Sequence, residues 1–133
     1  MIANPYQQYQ ESHLETASQG KLLLMLYDGA IRFLTQAHQA MEAKKYQESH
    51  NFILRAEDII TELMACLRMD AGGEIALNLY RLYEYMNWRL IQANIKREPA
   101  MLLEVQARLR ELREAWVEAI KLQGALQGPT GAA

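Results

Sequence analysis

The feature of this sequence that most constrains its fold is a set of four long segments with helical hydrophobic periodicity and short breaks between them. Apolar residues recur at three- and four-residue spacings over residues 18–43, 47–69, 74–97 and 99–123. Gly72 and Gly73 mark one break, and Pro99 is suited to the first position of the last helix. Because such short connections force sequential helices to run antiparallel, we predict an all-α protein, an antiparallel up-down four-helix bundle.

The two ends of the chain differ from the helical segments. Residues 1–17 contain Pro5 among polar residues and predict at most a short helix, so we treat them as an N-terminal capping segment. Residues 124–133 are rich in glycine, which predicts a disordered tail. The expected organisation is therefore one helical domain over residues 1–123, followed by that tail.

Charge, hydropathy and cysteine content exclude several classes of protein. The 14 Lys and Arg residues nearly balance the 16 Asp and Glu residues, and no basic block stands out, so nucleic acid is not an expected partner. No long apolar run or secretion signal is evident, so we expect no membrane insertion. The single Cys66 cannot form an internal disulfide, which favours a reducing, cytoplasmic location.

Catalytic and metal-binding motifs are missing from the sequence. None of the three histidines follows a glutamate at the three-residue distance that a di-iron bundle needs, and the lone cysteine excludes a thiolate cluster. Gly20 and Lys21 are followed by Leu22 rather than by the Ser or Thr of a phosphate loop. We therefore predict no enzymatic activity, no cofactor and no metal site.

Three of the four helices carry more apolar surface than a bundle helix needs. In the first, Leu24 and Ile31 widen the apolar arc to roughly 200°. In the second, Ile53 and Met64 widen it to roughly 140°, and in the third it covers about two-thirds of the circumference. The bundle and the N-terminal segment bury this surplus, or it forms a groove for a partner, and both hold if the segment covers the groove until a partner displaces it. Tyr6 and Tyr9 are the natural anchors of such a cap.

Asn87 and Asn94 lie within the apolar arc of the third helix, where buried amides need hydrogen-bond partners. They either bond within the bundle, which is the commoner outcome for buried polar groups, or offer polar contacts to the backbone of a ligand.

Five stretches of this sequence resemble one known family. They are NPYQQYQ, ETASQGKLLLMLYDGAIRFL, RAEDIITEL, LYEYMNWRLIQANIK and ELREAWVEAI, and they occur in the order that the family shows. Over residues 4–121 the chain thus resembles the flagellar secretion chaperones commonly called FliS.

This resemblance implies a cytoplasmic chaperone that binds the C-terminal segment of flagellin, prevents premature polymerisation and delivers flagellin to the flagellar type III export apparatus. It also implies an N-terminal cap that a client displaces, with Tyr6 and Tyr9 at the family's tyrosine motif. Combined with the apolar faces, it gives the following predicted partner-binding residues: Tyr6, Tyr9, Leu24, Tyr27, Ile31, Ile53, Ile60, Met64, Leu77, Tyr80, Asn87, Ile91 and Asn94.

Two alternatives remain open at this point. A homodimer or larger homo-oligomer, acting as a helical structural or adaptor protein without a flagellin client, would bury the same surplus against copies of itself. A bundle that binds a small ligand or a metal is the other alternative.

Overall fold

The computed structural model describes the backbone of residues 16–132 and the side chains of residues 19–124. This part of the chain contains no strand and forms four helices, α1 (Thr16–Glu42), α2 (Tyr46–Ala65), α3 (Met69–Lys96) and α4 (Pro99–Ala132). The predicted all-α bundle is confirmed, and α4 begins at the proline that the sequence indicated.

Each helix packs against the helix before it and the helix after it, and α4 returns to pack against α1. The contacts between α1 and α4 run in opposite chain directions. Gly20 lies so close to Ile120 that a Cβ atom on Gly20 would be 2.8 Å from Ile120 Cδ1, and further along α1 the Gln106 amide donates to the carbonyl oxygen of Ile31 at 3.2 Å. The helices therefore form an antiparallel ring of four, in which α1 and α3 are diagonal neighbours.

All four helices contribute to one hydrophobic core. Alanines such as Ala30, Ala56 and Ala93 are completely buried, and small side chains at these positions let neighbouring backbones approach closely. Larger side chains fill the space between them, including Leu34, Leu63, Met86, Leu90, Leu102 and Leu109. Truncating one of these to alanine is expected to cost about 2–5 kcal/mol.

Two helices end in a left-handed residue that is not glycine. At the end of α1, Lys44 has φ 61°, its N–H donates to the carbonyl of Met41 at 3.0 Å, and the N–H of Lys45 donates to the carbonyl of Ala40 at 2.8 Å. This is the hydrogen-bond pattern of a Schellman motif, which usually has glycine at the left-handed position. At the end of α3, Arg97 has φ 53°.

The connection between α2 and α3 agrees with the sequence prediction in part. The second helix ends at Ala65, four residues before its predicted end, and the chain is helical again from Met69. At Gly73 φ is 57° and ψ is −135°, so two helical stretches meet there at a kink. This combination is essentially restricted to glycine, so the predicted glycine break is confirmed, and the long part of α3 follows it.

The ends of the outer helices also differ from the prediction. Helix α1 includes residues 16 and 17, which the sequence assigned to the capping segment, and α4 continues past residue 123 to Ala132. The sequence does not indicate this continuation, because Pro129 and three glycines within the stretch disfavour a helix.

Candidate functional site

Helix α3 exposes a row of large apolar side chains on the side that faces away from the core. Leu77 is 37 % exposed, Trp88 51 %, Ile91 44 % and Ile95 70 %. Trp88, Ile91 and Ile95 follow one another at three- and four-residue spacings, and Leu77 lies about three turns before Trp88, with the exposed charged residues Arg81 and Glu84 between them. We call these four residues the α3 stripe, which is roughly 27 Å long at 1.5 Å per residue.

The α3 stripe borders the junction between α2 and α3. On the α2 side of that junction, Leu54 is exposed and Met64 is half-buried, while Tyr80 of α3 is half-buried beside the stripe. Leu54 is four residues after His50, and Met64 is three residues after Thr61. Because His50 and Thr61 both bond to α3, helical spacing places Leu54 and Met64 along the same edge of α2.

Two side-chain hydrogen bonds join α2 and α3 across this junction. The Asn87 amide donates to Thr61 Oγ1 at 3.2 Å, and the Asn94 amide lies 2.6 Å from His50 Nδ1. When the Asn94 amide donates, His50 Nδ1 is the acceptor and the imidazole proton resides on Nε2. Both asparagines thus bond within the bundle, which is the first of the two roles considered above.

Six of the predicted partner-binding residues lie together on this side of the bundle. They are Met64, Leu77, Tyr80, Asn87, Ile91 and Asn94, and all are exposed or half-buried. The surface formed by these residues together with Trp88 and Ile95 is called the α2–α3 face below.

Three other predicted contacts are in the core. The side chains of Tyr27, Ile53 and Ile60 have 0 % exposure, because they point from α1 and α2 towards the centre of the bundle. A partner on the surface of this structure cannot reach them, so we correct the candidate surface by removing all three.

The remaining predicted contacts lie elsewhere or outside the described part. On α1, Leu24 lies between two residues of the same helix face that contact α4. Four residues before it, Gly20 is next to Ile120. Four residues after it, Asp28 pairs with Arg113 at 2.5 Å. Helical spacing therefore places Leu24 on the α1–α4 side. Ile31, whose carbonyl accepts from α4, is on that side too. Tyr6 and Tyr9 lie outside the described residues.

A buried polar network crosses the core behind the α2–α3 face. The hydroxyl groups of Tyr27 and Tyr83 hydrogen-bond to each other, and the Trp116 indole N–H donates to Tyr27 Oη at 3.0 Å. Burial raises the pKa of Tyr27, and it raises the pKa of Tyr83 more strongly. This network joins diagonal helices α1 and α3 to α4, and both phenols remain neutral at ordinary pH.

The junction between α3 and α4 is polar by contrast. Glu104 accepts a hydrogen bond from Tyr85 Oη at 2.8 Å and pairs with Arg89 at 2.8 Å. The hydrogen bond from Tyr85 and then that from Arg89 lower the pKa of the Glu104 carboxyl group. The apolar surface of α3 is therefore bounded on this side by a hydrogen-bonded acidic residue.

Sequence reasoning did not select Trp88 or Ile95 as site residues, although both belong to the apolar arc of the third helix. The arc of α3 is so wide that the sequence does not show which part faces the core. The structure resolves this, because Tyr83, Met86 and Leu90 fill the core and leave Trp88 and Ile95 on the opposite side.

The described part of the chain also bears on other classes of site. Over residues 16–132, no helix combines the length and the apolar character required to cross a membrane. The same stretch contains no group of three or more His, Cys, Asp or Glu side chains arranged to hold a metal ion.

Comparison with known proteins supplies the family. Residues 2–123 match the family described as flagellar protein FliS. The chain is 38 % identical to the flagellar secretion chaperone FliS of Bacillus subtilis over 120 residues, which are 90 % of this chain and 89 % of that protein. It is 41 % identical to the flagellar secretion chaperone FliS of Vibrio cholerae over 106 residues, 80 % of this chain and 78 % of that protein.

A third relative, the flagellar secretion chaperone FliSB of Pseudomonas aeruginosa, is 39 % identical over 112 residues, 84 % of this chain and 89 % of that protein. The all-helical bundle agrees with the fold that the sequence resemblance implied. The chain belongs to the FliS family of flagellar secretion chaperones, a family of chaperones and not of enzymes.

Proposed function

We propose that this protein acts in the cytoplasm as an export chaperone for flagellin. In this proposal it binds the C-terminal segment of flagellin, prevents premature polymerisation and delivers the client to the flagellar type III export apparatus. The observation that supports the proposal most directly is the α3 stripe, because several large apolar side chains exposed on one face of a helix are expected to have a partner.

The shape of the α2–α3 face suits an amphipathic helix. A client helix that lies along the α3 stripe would match its length of roughly 27 Å with about 18 residues. Its apolar residues at three- and four-residue spacings would contact Leu77, Trp88, Ile91 and Ile95, which is helix-in-groove recognition. Trp88 offers the largest apolar side chain of the stripe and is the expected anchor.

A disordered client must fold as it binds, and that ordering costs about 2–5 kcal/mol or more. The α2–α3 face lowers the cost on the chaperone side, because Asn87 and Asn94 already fix α3 against α2. Binding is therefore expected to order the client and to leave the bundle largely unchanged.

A pull-down with flagellin tests the client directly. The chaperone is immobilised and presented with full-length flagellin and with flagellin that lacks its C-terminal segment. Retention of the full-length protein and loss of the truncated one are the expected results. Equal retention of both would contradict the proposed binding site on the client.

Alanine variants test the surface on this chain. Trp88→Ala and Ile91→Ala are each expected to weaken binding of the flagellin peptide by about 1–3 kcal/mol, since each removes an apolar contact. Leu103→Ala is the matched control, because Leu103 is 46 % exposed, as apolar as Ile91, and lies on α4. An equal loss for Leu103→Ala would show that the α2–α3 face is not the binding surface.

Self-association is the competing explanation of the α3 stripe. Sedimentation of the free chain, with and without the flagellin peptide, separates the two. A chaperone is expected to form a stoichiometric complex with the peptide. A tight homo-oligomer that ignores the peptide would replace the chaperone proposal with a structural or adaptor role.

The N-terminal segment enters the proposal as a displaceable cap. If residues 1–15, including Tyr6 and Tyr9, cover apolar surface in the free chain, their deletion removes a competitor for the client. The deletion variant is then expected to bind the flagellin peptide more tightly than the full chain, as measured by calorimetry. An unchanged affinity would remove the cap from the mechanism.

A further inference from the structure

A polar cavity lies between the start of α2 and the end of α3, at the end of the bundle towards which the α3 stripe runs. Its volume is about 410 Å³, within the range of roughly 300–1,000 Å³ typical of ligand sites. Besides Met41, the described residues that line it are Tyr46, Gln47, Ser49, His50, Asn94 and Arg97. None of them is acidic.

Arg97 supplies the positive charge of this cavity. Its guanidinium lies 4.0 Å from the centroid of the Tyr46 ring, and it forms no ion pair with an acidic side chain in the described part of the chain. Stacking on an aromatic ring orients the guanidinium and leaves its N–H groups at the edge free to donate. A planar oxyanion is the natural partner of such a group.

The first turn of α2 contributes further donors. Lys45 precedes the helix without a side-chain capping bond, so the amides of Gln47 and of the acidic Glu48 lack the acceptor that a capping residue provides, and the Tyr46 amide has no acceptor within the helix. The positive end of the helix dipole lies at the same place. Amides at a helix start favour an anion, and here two of the residues that carry them line the cavity.

Ser49 is a buried polar residue in the wall of the cavity. Its side chain is 1 % exposed and lines the cavity, and its hydroxyl has no hydrogen-bond partner among the described residues. A buried hydroxyl without a partner costs about 1–3 kcal/mol, so such groups are rare unless something else bonds to them.

The cavity is continuous with the α2–α3 face. His50 and Asn94, which form one of the two hydrogen bonds between α2 and α3, also line the cavity. Arg97 follows two residues after Ile95, the last member of the α3 stripe. A peptide that follows the stripe towards this end therefore arrives at the cavity.

We propose that this cavity binds a carboxylate, and that its occupant is the terminal carboxylate of the client peptide that lies along the α3 stripe. This inference rests on the proposed function, because it takes the C-terminal segment of flagellin as the client. Arg97 and the first amides of α2 hold the two carboxylate oxygens, and the Ser49 hydroxyl bonds to the last residue of the peptide.

The test compares two flagellin peptides that differ only at the last group, a free carboxylic acid and a carboxamide. Calorimetry with the full chain is expected to show that the amide binds at least roughly tenfold more weakly, a difference of about 1.4 kcal/mol. Equal affinities would overturn the carboxylate site and leave the proposed function intact. Failure of both peptides to bind would overturn the two together.

Variants locate the effect in the cavity. Arg97→Gln and Ser49→Ala are expected to weaken binding of the acid peptide and to change binding of the amide peptide little, so that the difference between the peptides shrinks. Arg110→Gln is the control, because Arg110 is exposed on α4 and does not line the cavity. Equal losses with both peptides would overturn the assignment, and circular dichroism verifies that each variant is folded.

Discussion

The hydrogen bond between Tyr27 and Tyr83 allows a quantitative test of how the core is held together. Tyr83→Phe removes one hydroxyl and leaves the Tyr27 hydroxyl without its Tyr83 partner, although Tyr27 still accepts from Trp116. Leaving a buried polar group without a partner costs about 1–3 kcal/mol. Tyr27→Phe is expected to cost more, because it removes the partner of Tyr83, which is 1 % exposed, and that of the half-buried Trp116.

The double variant distinguishes a hydrogen-bond effect from a general packing effect. Once both tyrosines are phenylalanine, neither ring carries an orphaned hydroxyl, so the double variant is expected to be more stable than the sum of the single losses predicts. For groups in direct contact the coupling is about 0.5–3 kcal/mol. Replacing both partners by apolar groups of the same shape can be nearly neutral.

Urea unfolding followed by far-ultraviolet circular dichroism measures the four free energies of unfolding. The m-value must stay constant across the four proteins, since a changed m-value would indicate a different unfolded or native state. Losses that simply add in the double variant would refute the reasoning, because they would show that the two hydroxyls do not depend on each other. A larger loss for Tyr83→Phe than for Tyr27→Phe would contradict the role given to Trp116.

Three further predictions concern pH and backbone conformation. Burial raises the pKa of Tyr27 and Tyr83 in the folded state, so their contribution to stability is complete below the unfolded pKa of about 10 and is lost as pH rises above it. From pH 8 to 11 the free energy of unfolding should fall more steeply for the wild type than for the double phenylalanine variant, and parallel curves would contradict this. Lys44→Gly is expected to raise the free energy of unfolding by up to about 1 kcal/mol, since φ is 61° there and glycine adopts this conformation without strain; a lower urea midpoint would count against it. Gly73→Ala should lower the thermal midpoint, because the φ and ψ of Gly73 cost a residue with a Cβ atom about 1–3 kcal/mol. Gly124→Ala is the control and should not lower it, because a Cβ atom on Gly124 in helix α4 would lie in open space.

The helices could be predicted from the sequence because each carries a strong local signal. The periodicity of apolar residues identified all four, and Pro99 marked the start of α4, since proline at the first helical position lacks only an N–H that would be unpaired anyway. The glycines also indicated the break before the long part of α3, but no such signal marked the end of α2 at Ala65. Gly72 and Gly73 are equally strong breakers in sequence, but only Gly73 adopts the conformation that bends the helix.

The site was predicted less completely, because periodicity gives the faces of a helix without the direction of the core. Ile53 and Ile91 look alike in sequence, yet the first is completely buried and the second is 44 % exposed. The same uncertainty kept Trp88 out of the predicted site. The cavity around Arg97 could not be predicted from the sequence either, because residues from the start of α2 and the end of α3 form it and these are far apart in the chain.

The composition of α3 is best understood as two apolar surfaces with different roles. Tyr83, Met86 and Leu90 are fully buried and hold the helix in the bundle, so the stability of the fold does not require the α3 stripe as well. Because Asn87 and Asn94 tie α3 to α2 between these two surfaces, the stripe is presented on a helix that is already fixed. In the proposed function, a client that binds there would lose conformational freedom while the chaperone would lose little, because its surface is already formed.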